Sequence, residues 1–166
     1  MSVRSFEPSR GLRLSPTVLL RVSAVLIVAL TVGHMSAYPW TSPKEHNQSR
    51  LVGSMKAVDF VFMGEHQTYW SLYFGWGVLV AALLLTIAIA LWLISDFVWF
   101  APRRVGAITG SISLLCLFGS YVSSQFFYAP PATFFAVACV VLVIATVQLL
   151  ATKGEDRGGG KAPPHA

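Results

Sequence analysis

The sequence predicts an all-α fold: a four-helix transmembrane bundle with a short amphipathic helix in its first outer loop. Two observations lead to this fold class. Of the 166 residues, 55% are hydrophobic and only 11% are charged, whereas a soluble domain carries about 25% charged residues. The apolar residues are also concentrated in four segments, each long enough to provide the about 20 helical residues that cross a bilayer core. The composition therefore indicates an integral membrane protein.

The four apolar segments define the predicted domain organisation. The spans are expected at 14–37, 70–95, 105–125 and 132–151, within a transmembrane domain of 14–152. Residues 1–13 are expected to form a cytoplasmic N-terminal segment, and the Gly- and Pro-rich residues 153–166 a disordered cytoplasmic tail. The first segment also has the basic start and apolar stretch of a signal peptide. Because Met35 fits poorly at position −3 of a cut after Ala37, we expect the segment to remain as a span.

The distribution of Lys and Arg predicts the orientation, since cytoplasmic loops are enriched in both. With the N-terminus inside, nine of the twelve face the cytoplasm, with Arg21 reaching back to that interface: Arg4, Arg10, Arg13, Arg21, Arg103, Arg104, Lys153, Arg157 and Lys161. Lys44, Arg50 and Lys56 face outside. Both termini are therefore predicted to be cytoplasmic. The net charge of +5 is then a topology signal, and nucleic acid is not expected as a partner.

The first outer loop, from Tyr38 to about Tyr69, is the only long connection. After a turn-rich start, its apolar residues recur at helical spacing, at Leu51, Met55, Val58 and Phe62. We therefore predict an amphipathic helix at about 51–62 that rests on the outer ends of the spans. Leaving its large apolar side chains in water would cost about 1.5–3 kcal/mol each.

Small residues in the third span predict a tightly packed face. Gly106 and Gly110 form a GxxxG step, and the stripe continues through Ser113, Ser120 and Ser124. Helices in lipid associate through close backbone approach, which small residues permit. This face either packs within the bundle, which we favour, or mediates a homo-oligomer or a contact with a membrane-complex partner.

Polar and aromatic residues collect at the predicted outer end. Ten of them form a candidate ligand-binding set: His34, Trp40, Lys56, Asp59, Glu65, Tyr69, Trp70, Tyr73, Gln125 and Tyr128. An aromatic belt at headgroup depth explains Trp and Tyr, but not the histidine and the loop charges. His34 either lines an outer pocket or hydrogen-bonds a neighbouring carbonyl. Lys56 and Asp59, three residues apart, are expected to form a surface ion pair.

The residues that most membrane enzymes need are missing from the predicted spans. The two cysteines, Cys116 and Cys139, lie in apolar runs and do not make a disulfide scaffold or a four-cysteine metal site. The four histidines are scattered, and no Asp or Glu lies within a span. This pattern argues against a metallohydrolase, a sterol isomerase or an ion-coupled pump. No catalytic residue, metal site or cofactor is predicted.

Four sequence pieces resemble a family of small bacterial membrane proteins with four predicted spans. They are Gly33-His34-x3-Tyr38-Pro39-Trp40, Met55-Lys56-x3-Phe60-x2-Met63-Gly64, Thr68-Tyr69-Trp70-x2-Tyr73-x-Gly75-Trp76-Gly77 and Phe127-Tyr128-x-Pro130-Pro131. The similarity runs from about Leu20 to Leu150. It implies a multi-pass location in the bacterial inner membrane and a four-span fold, and it brings no activity with it. The architecture also resembles that of DoxX-type four-helix proteins.

Two function classes follow from these residues. The favoured one is a non-enzymatic protein that binds a lipid or another apolar small molecule at its outer face, or that acts as a subunit of a membrane complex. The alternative is an enzyme for a lipid or quinone-like substrate at the outer leaflet, using His34, Lys56, Asp59 or Glu65. An enzyme needs at least two titratable groups that converge in a pocket. A binding protein needs an apolar cavity, with those groups solvated or individually paired.

Overall fold

The computed structural model describes residues 14–37, 43–127 and 129–151. In chain order the elements are α1 (Pro16–Ala37), α2 (His46–Ala57), β1 (Asp59–Phe62), β2 (Glu65–Thr68), α3 (Tyr69–Ile94), a 3-10 turn (Ser95–Phe97), α4 (Pro102–Phe126) and α5 (Ala129–Ala151). Within these ranges, α1, α3, α4 and α5 are each long and apolar enough to cross a membrane. The predicted all-α fold class is therefore confirmed, and the chain is a multi-pass integral membrane protein. The N-terminal segment and the tail predicted above lie outside the described residues.

The four long helices pack in the order α3–α1–α5–α4. Among the residues described, extensive contacts between long helices are limited to α1 with α3, α1 with α5 and α4 with α5. Helices α3 and α4 meet mainly through the 3-10 turn that joins them. The core lies where α1 and α5 face each other and their neighbours, and it includes Leu20, Ile27, Leu91, Leu142 and Leu149. α1 is thus the helix that connects α3 to the rest of the bundle.

Arg21 joins α1 to the end of α3. Its Nη2 donates to Asp96 Oδ1 at 2.9 Å, and its Nε donates to Ser95 Oγ at 3.2 Å. Its guanidinium also lies 5.1 Å from the centre of the Trp92 ring, within the range of a cation–π contact. The prediction that Arg21 only extends to the lipid interface is therefore incomplete, because the charge is bound by Asp96 of the same chain.

Small residues bring α4 and α5 together, as the GxxxG step predicted. A Cβ atom added at Gly106 would lie 3.0 Å from Leu150 Cδ2, and one added at Gly119 would lie 3.1 Å from the Phe135 ring. At Gly110 the nearest atom, Thr146 Cγ2, is 3.5 Å away. The Gly106/Gly110 face is therefore occupied by α5 of the same chain. Ser124, which the predicted stripe included, is exposed instead, and its hydroxyl donates to the Tyr121 carbonyl.

The first loop contains a helix followed by a β-hairpin, and the predicted helix bounds of 51–62 were wrong. α2 begins at His46 and ends at Ala57. The following residues form β1, which pairs antiparallel with β2 in the register Asp59↔Thr68 to Phe62↔Glu65. Aromatic and β-branched residues favour this extended backbone. Met63 and Gly64 form the turn with φ of 52° and 90°, the left-handed pair that a two-residue hairpin requires.

Candidate functional site

The hairpin leads directly into α3 through a helix cap. Thr68, the last residue of β2, accepts from the Ser71 backbone N–H at 3.1 Å, and Ser71 Oγ accepts from the Thr68 backbone N–H at 3.1 Å. This reciprocal capping box satisfies two backbone donors at the start of α3. We call the end of the bundle that carries α2 and the hairpin the cap end. The capping box fixes the junction between β2 and α3. It places Tyr69 and Trp70, two of the predicted aromatic residues, in the first turn of α3.

Aromatic contacts hold α2 and the hairpin against α3. Lys56 Nζ lies 4.8 Å from the centre of the Trp70 ring. The rings of Phe60 and Tyr69 are 4.9 Å apart, and those of Trp70 and Tyr73 are 5.8 Å apart. α2 contacts both α3 and β2, although none of its residues is fully buried. The structure thus brings four of the predicted site residues together, namely Lys56, Tyr69, Trp70 and Tyr73.

Asp59 binds a histidine of the hairpin and not Lys56. Its Oδ2 is 2.8 Å from His66 Nδ1, with both side chains more than half exposed, at 54% and 75%. The predicted Lys56–Asp59 ion pair was wrong because α2 ends at Ala57, so the two residues are not on one helical face. His66 and Asp59 are within hydrogen-bond reach of each other, but the pair lies on the outer surface of the hairpin.

His34 makes the hydrogen bond that the sequence offered as one of two alternatives. Its Nε2 lies 3.0 Å from the Gly77 carbonyl oxygen of α3. Since a carbonyl oxygen only accepts, Nε2 must carry the proton in this contact. The half-buried imidazole therefore joins α1 to α3 at the cap end, as Arg21 does at the opposite end.

The other predicted site residues are not brought into this cluster. Glu65 is exposed at the start of β2. Gln125 is exposed near the end of α4, where its Nε2 lies 3.5 Å from Ser124 Oγ. Trp40 and Tyr128 lie outside the described residues, so their place in the candidate pocket stays a prediction.

A shallow apolar groove runs along the cap-end half of α1. It has a volume of about 430 Å³ and is lined by Val28, Thr31, Val32, Met35, Ser36 and Leu85. The two hydroxyls in this lining donate to backbone carbonyls of α1 itself, Thr31 to Ile27 and Ser36 to Gly33. The groove wall is therefore chemically apolar. None of the six lining residues was among the predicted site residues, because apolar residues in a predicted span carry no signal that separates a groove from ordinary lipid contact.

No protein-family model, curated protein or solved structure matches this chain.

Four titratable cap-end groups are bound within the chain: Lys56 by the Trp70 ring, Asp59 and His66 by each other, and His34 by the Gly77 carbonyl. Within 14–37, 43–127 and 129–151, no three His, Cys, Asp or Glu side chains gather where they could hold a metal ion. The arrangement can hold helices in place and can present an apolar surface. The family resemblance and the ligand role of the ten residues remain predictions.

Trp70 is expected to hold α2 in place. A cation–π contact of this kind is worth about 0.5–1 kcal/mol, so Trp70→Ala should increase tryptic cleavage after Arg50, within α2, by about two- to fivefold. Cleavage follows the population of the opened segment when opening is fast. Lys56→Met, which removes the cation and keeps an apolar stem, should act in the same direction. Trp76→Ala, at a ring that is 65% exposed, is the control, and equal cleavage of the Trp70 and Trp76 variants would contradict this role.

Proposed function

We propose that this multi-pass membrane protein binds a lipid, or another apolar small molecule, at its outer face and does not transform it. The observation that carries the proposal is the groove along α1. Its lining is apolar, and its two hydroxyls are satisfied within α1. The titratable groups of the cap end do not line the groove: Lys56 contacts the Trp70 ring, Asp59 and His66 bind each other, and His34 binds the Gly77 carbonyl.

The shape of the groove suits an acyl chain. Its lining residues extend from Val28 to Ser36 along α1, which is about 12 Å at the rise of an α-helix. Val28 and Val32 remain 39% and 62% exposed, so the groove opens to the side, where the lipid tails lie. An elongated apolar ligand can enter from the bilayer without passing through water. The headgroup would then lie at the cap end, near Lys56 of α2 and Trp70 in the first turn of α3.

The enzymatic alternative has one observation in its favour. Asp59 and His66 are 2.8 Å apart, the reach that a general acid–base pair requires. However, both belong to the hairpin, and none of the groove-lining side chains is titratable. Neither Asp59 nor His66 lines the groove. For this reason we favour binding over catalysis.

The orientation that we propose places the cap end outside and both termini in the cytoplasm. An even number of spans puts the two termini on the same side, and nine of the twelve Lys and Arg residues are on the proposed inner side. The family resemblance supports the bacterial inner membrane as the location. Cysteines placed at positions 46 and 160, one at a time, test this orientation. An impermeant maleimide added to intact cells should label the first and not the second, and labelling at position 160 would contradict the proposal.

Filling the groove is expected to remove the bound lipid. Val32→Trp places a large side chain in the groove opening, where it occupies the space that the ligand would fill. Native mass spectrometry of the protein released from membranes should therefore show about tenfold less retained lipid, which corresponds to about 1.4 kcal/mol.

The matched control is Leu117→Trp on α4. Leu117 is 58% exposed, close to the 62% of Val32, and it is on a different helix and does not line the groove. This variant should retain lipid as the unmodified protein does. Equal lipid retention by the two Trp variants would overturn the groove as the site. Release of a chemically altered lipid would favour the enzyme, and a second polypeptide in the same spectrum would favour a complex subunit.

A further inference from the structure

The contacts between α4 and α5 define the register of their antiparallel packing. Thr146 Oγ1 donates to Thr109 Oγ1 at 3.0 Å. Near the cap end, Ser120 Oγ donates to the Ala132 carbonyl at 3.0 Å, and Gly119 faces the Phe135 ring. At the opposite end Gly106 faces Leu149 and Leu150. The pairs Gly106/Leu149, Thr109/Thr146 and Gly119/Phe135 agree in register to within one residue along the α4–α5 interface, which we call the seam.

This register places Cys116 opposite Cys139. Cys116 lies seven residues after Thr109 along α4, and Cys139 lies seven residues before Thr146 along α5. Seven residues complete two helical turns with a drift of only about 20°. Both cysteines therefore remain on the faces that carry the bonded Thr109–Thr146 pair, two turns farther along the seam.

The burial of both cysteines agrees with this placement. Cys116 is 3% exposed, Cys139 is partly buried against the core, and both are free thiols. On the α4 side the seam contains the small residues Gly106, Thr109 and Ser113, which allow the two backbones to approach closely. Close approach matters because a disulfide needs Cα atoms about 4.4–6.8 Å apart.

We propose that Cys116 and Cys139 form a cross-helix dithiol that closes to a disulfide by reaction with an apolar quinone dissolved in the bilayer. The two S–H bonds break and one S–S bond forms. The two electrons and two protons reduce the quinone to its quinol, so atoms and electrons balance. The product is a covalent link between α4 and α5. This inference is independent of the lipid groove, because it involves the other helix pair.

The depth of the two cysteines in the membrane favours an apolar oxidant. Cys139 lies ten residues into α5, about 15 Å from the start of the helix, and Cys116 is at the matching depth of α4. A polar oxidant would have to cross this depth of hydrocarbon, whereas an apolar quinone partitions into it. The proposed oxidation therefore takes place within the hydrocarbon core of the membrane.

The test uses the full chain, reduced and placed in lipid nanodiscs, with a fully substituted decyl-benzoquinone as the oxidant. After oxidation the protein is denatured and alkylated with N-ethylmaleimide, and its intact mass is measured. The reduced protein has two free thiols and should gain two adducts. We expect most of the oxidised protein to gain none, with one equivalent of quinol formed. Either single variant, Cys116→Ala or Cys139→Ala, should keep its remaining adduct.

Two engineered cysteine pairs serve as controls for disulfide formation by the native pair. The first pair is Thr109→Cys with Thr146→Cys, in a protein that also carries Cys116→Ser and Cys139→Ser. This pair should also form a disulfide, because the Thr109 and Thr146 side chains are in contact across the same seam. The double variant Cys116→Ala, Leu117→Cys also has two thiols, at positions 117 and 139. Because position 117 is 58% exposed, this thiol is away from Cys139, and no disulfide should form. The proposal is overturned if the native pair stays open while the Thr109/Thr146 pair closes, or if the Leu117 pair closes equally well. If neither seam pair closes, the quinone does not reach the seam and the proposed step fails.

Discussion

α1 is held against α3 by polar contacts at both of its ends, and the rest of the structure depends on this attachment. At one end Arg21 binds Ser95 and Asp96, and at the cap end His34 binds the Gly77 carbonyl. In lipid, apolar side chains gain little by packing together, because the surrounding tails are equally apolar. Among the described long helices, α3 packs extensively only on α1. Contacts that fix α1 therefore also fix α3, and through it α2 and the hairpin.

The two halves of the bundle use different means of association. Between α4 and α5, small residues permit backbone approach, and a single hydroxyl pair, Thr109 with Thr146, bonds across the seam. Between α1 and α3, long polar side chains reach across at the helix ends. An interhelical polar bond in a membrane contributes on average about 0.6 kcal/mol and at most about 1.7 kcal/mol, so neither end contact suffices alone. Their action at opposite ends fixes both the position and the tilt of α1.

The same division explains why the groove is apolar. Lys56, Asp59, His66 and His34 each have a partner within the chain, so their polarity is used to join elements. The residues of α1 that line the groove are apolar side chains and two hydroxyls that are bonded within α1. A ligand there would be recognised by shape and hydrophobic contact, which suits an acyl chain better than a substrate that needs oriented charge.

Hydropathy was sufficient to predict four helices, because a span needs only length and apolar composition, and the GxxxG step predicted the α4 face that packs on α5. The loop between α1 and α3 was harder. Leu51, Met55, Val58 and Phe62 have helical spacing, yet the helix ends at Ala57. The hairpin turn is Met63-Gly64, which lacks the Asn-Gly or Asp-Gly pattern by which a hairpin is usually identified in sequence. The Arg21–Asp96 and His34–Gly77 contacts join residues 75 and 43 positions apart. Such distances are determined by helix packing, and no local pattern encodes them.

The most direct test of this account is a double-mutant cycle between Arg21 and Asp96, measured as the free energy of unfolding in a bilayer. Arg21→Gln and Asp96→Asn remove the charges while they retain most of the side-chain volume. The account predicts a coupling energy of about 0.5–1.5 kcal/mol, the range of an ion pair and a polar bond at a membrane interface. A parallel cycle between Arg21 and Asp59, which lies at the other end of the bundle, should give none. A coupling for Arg21 and Asp96 no larger than that of the Arg21–Asp59 cycle would contradict the claim that this contact holds α1 against α3.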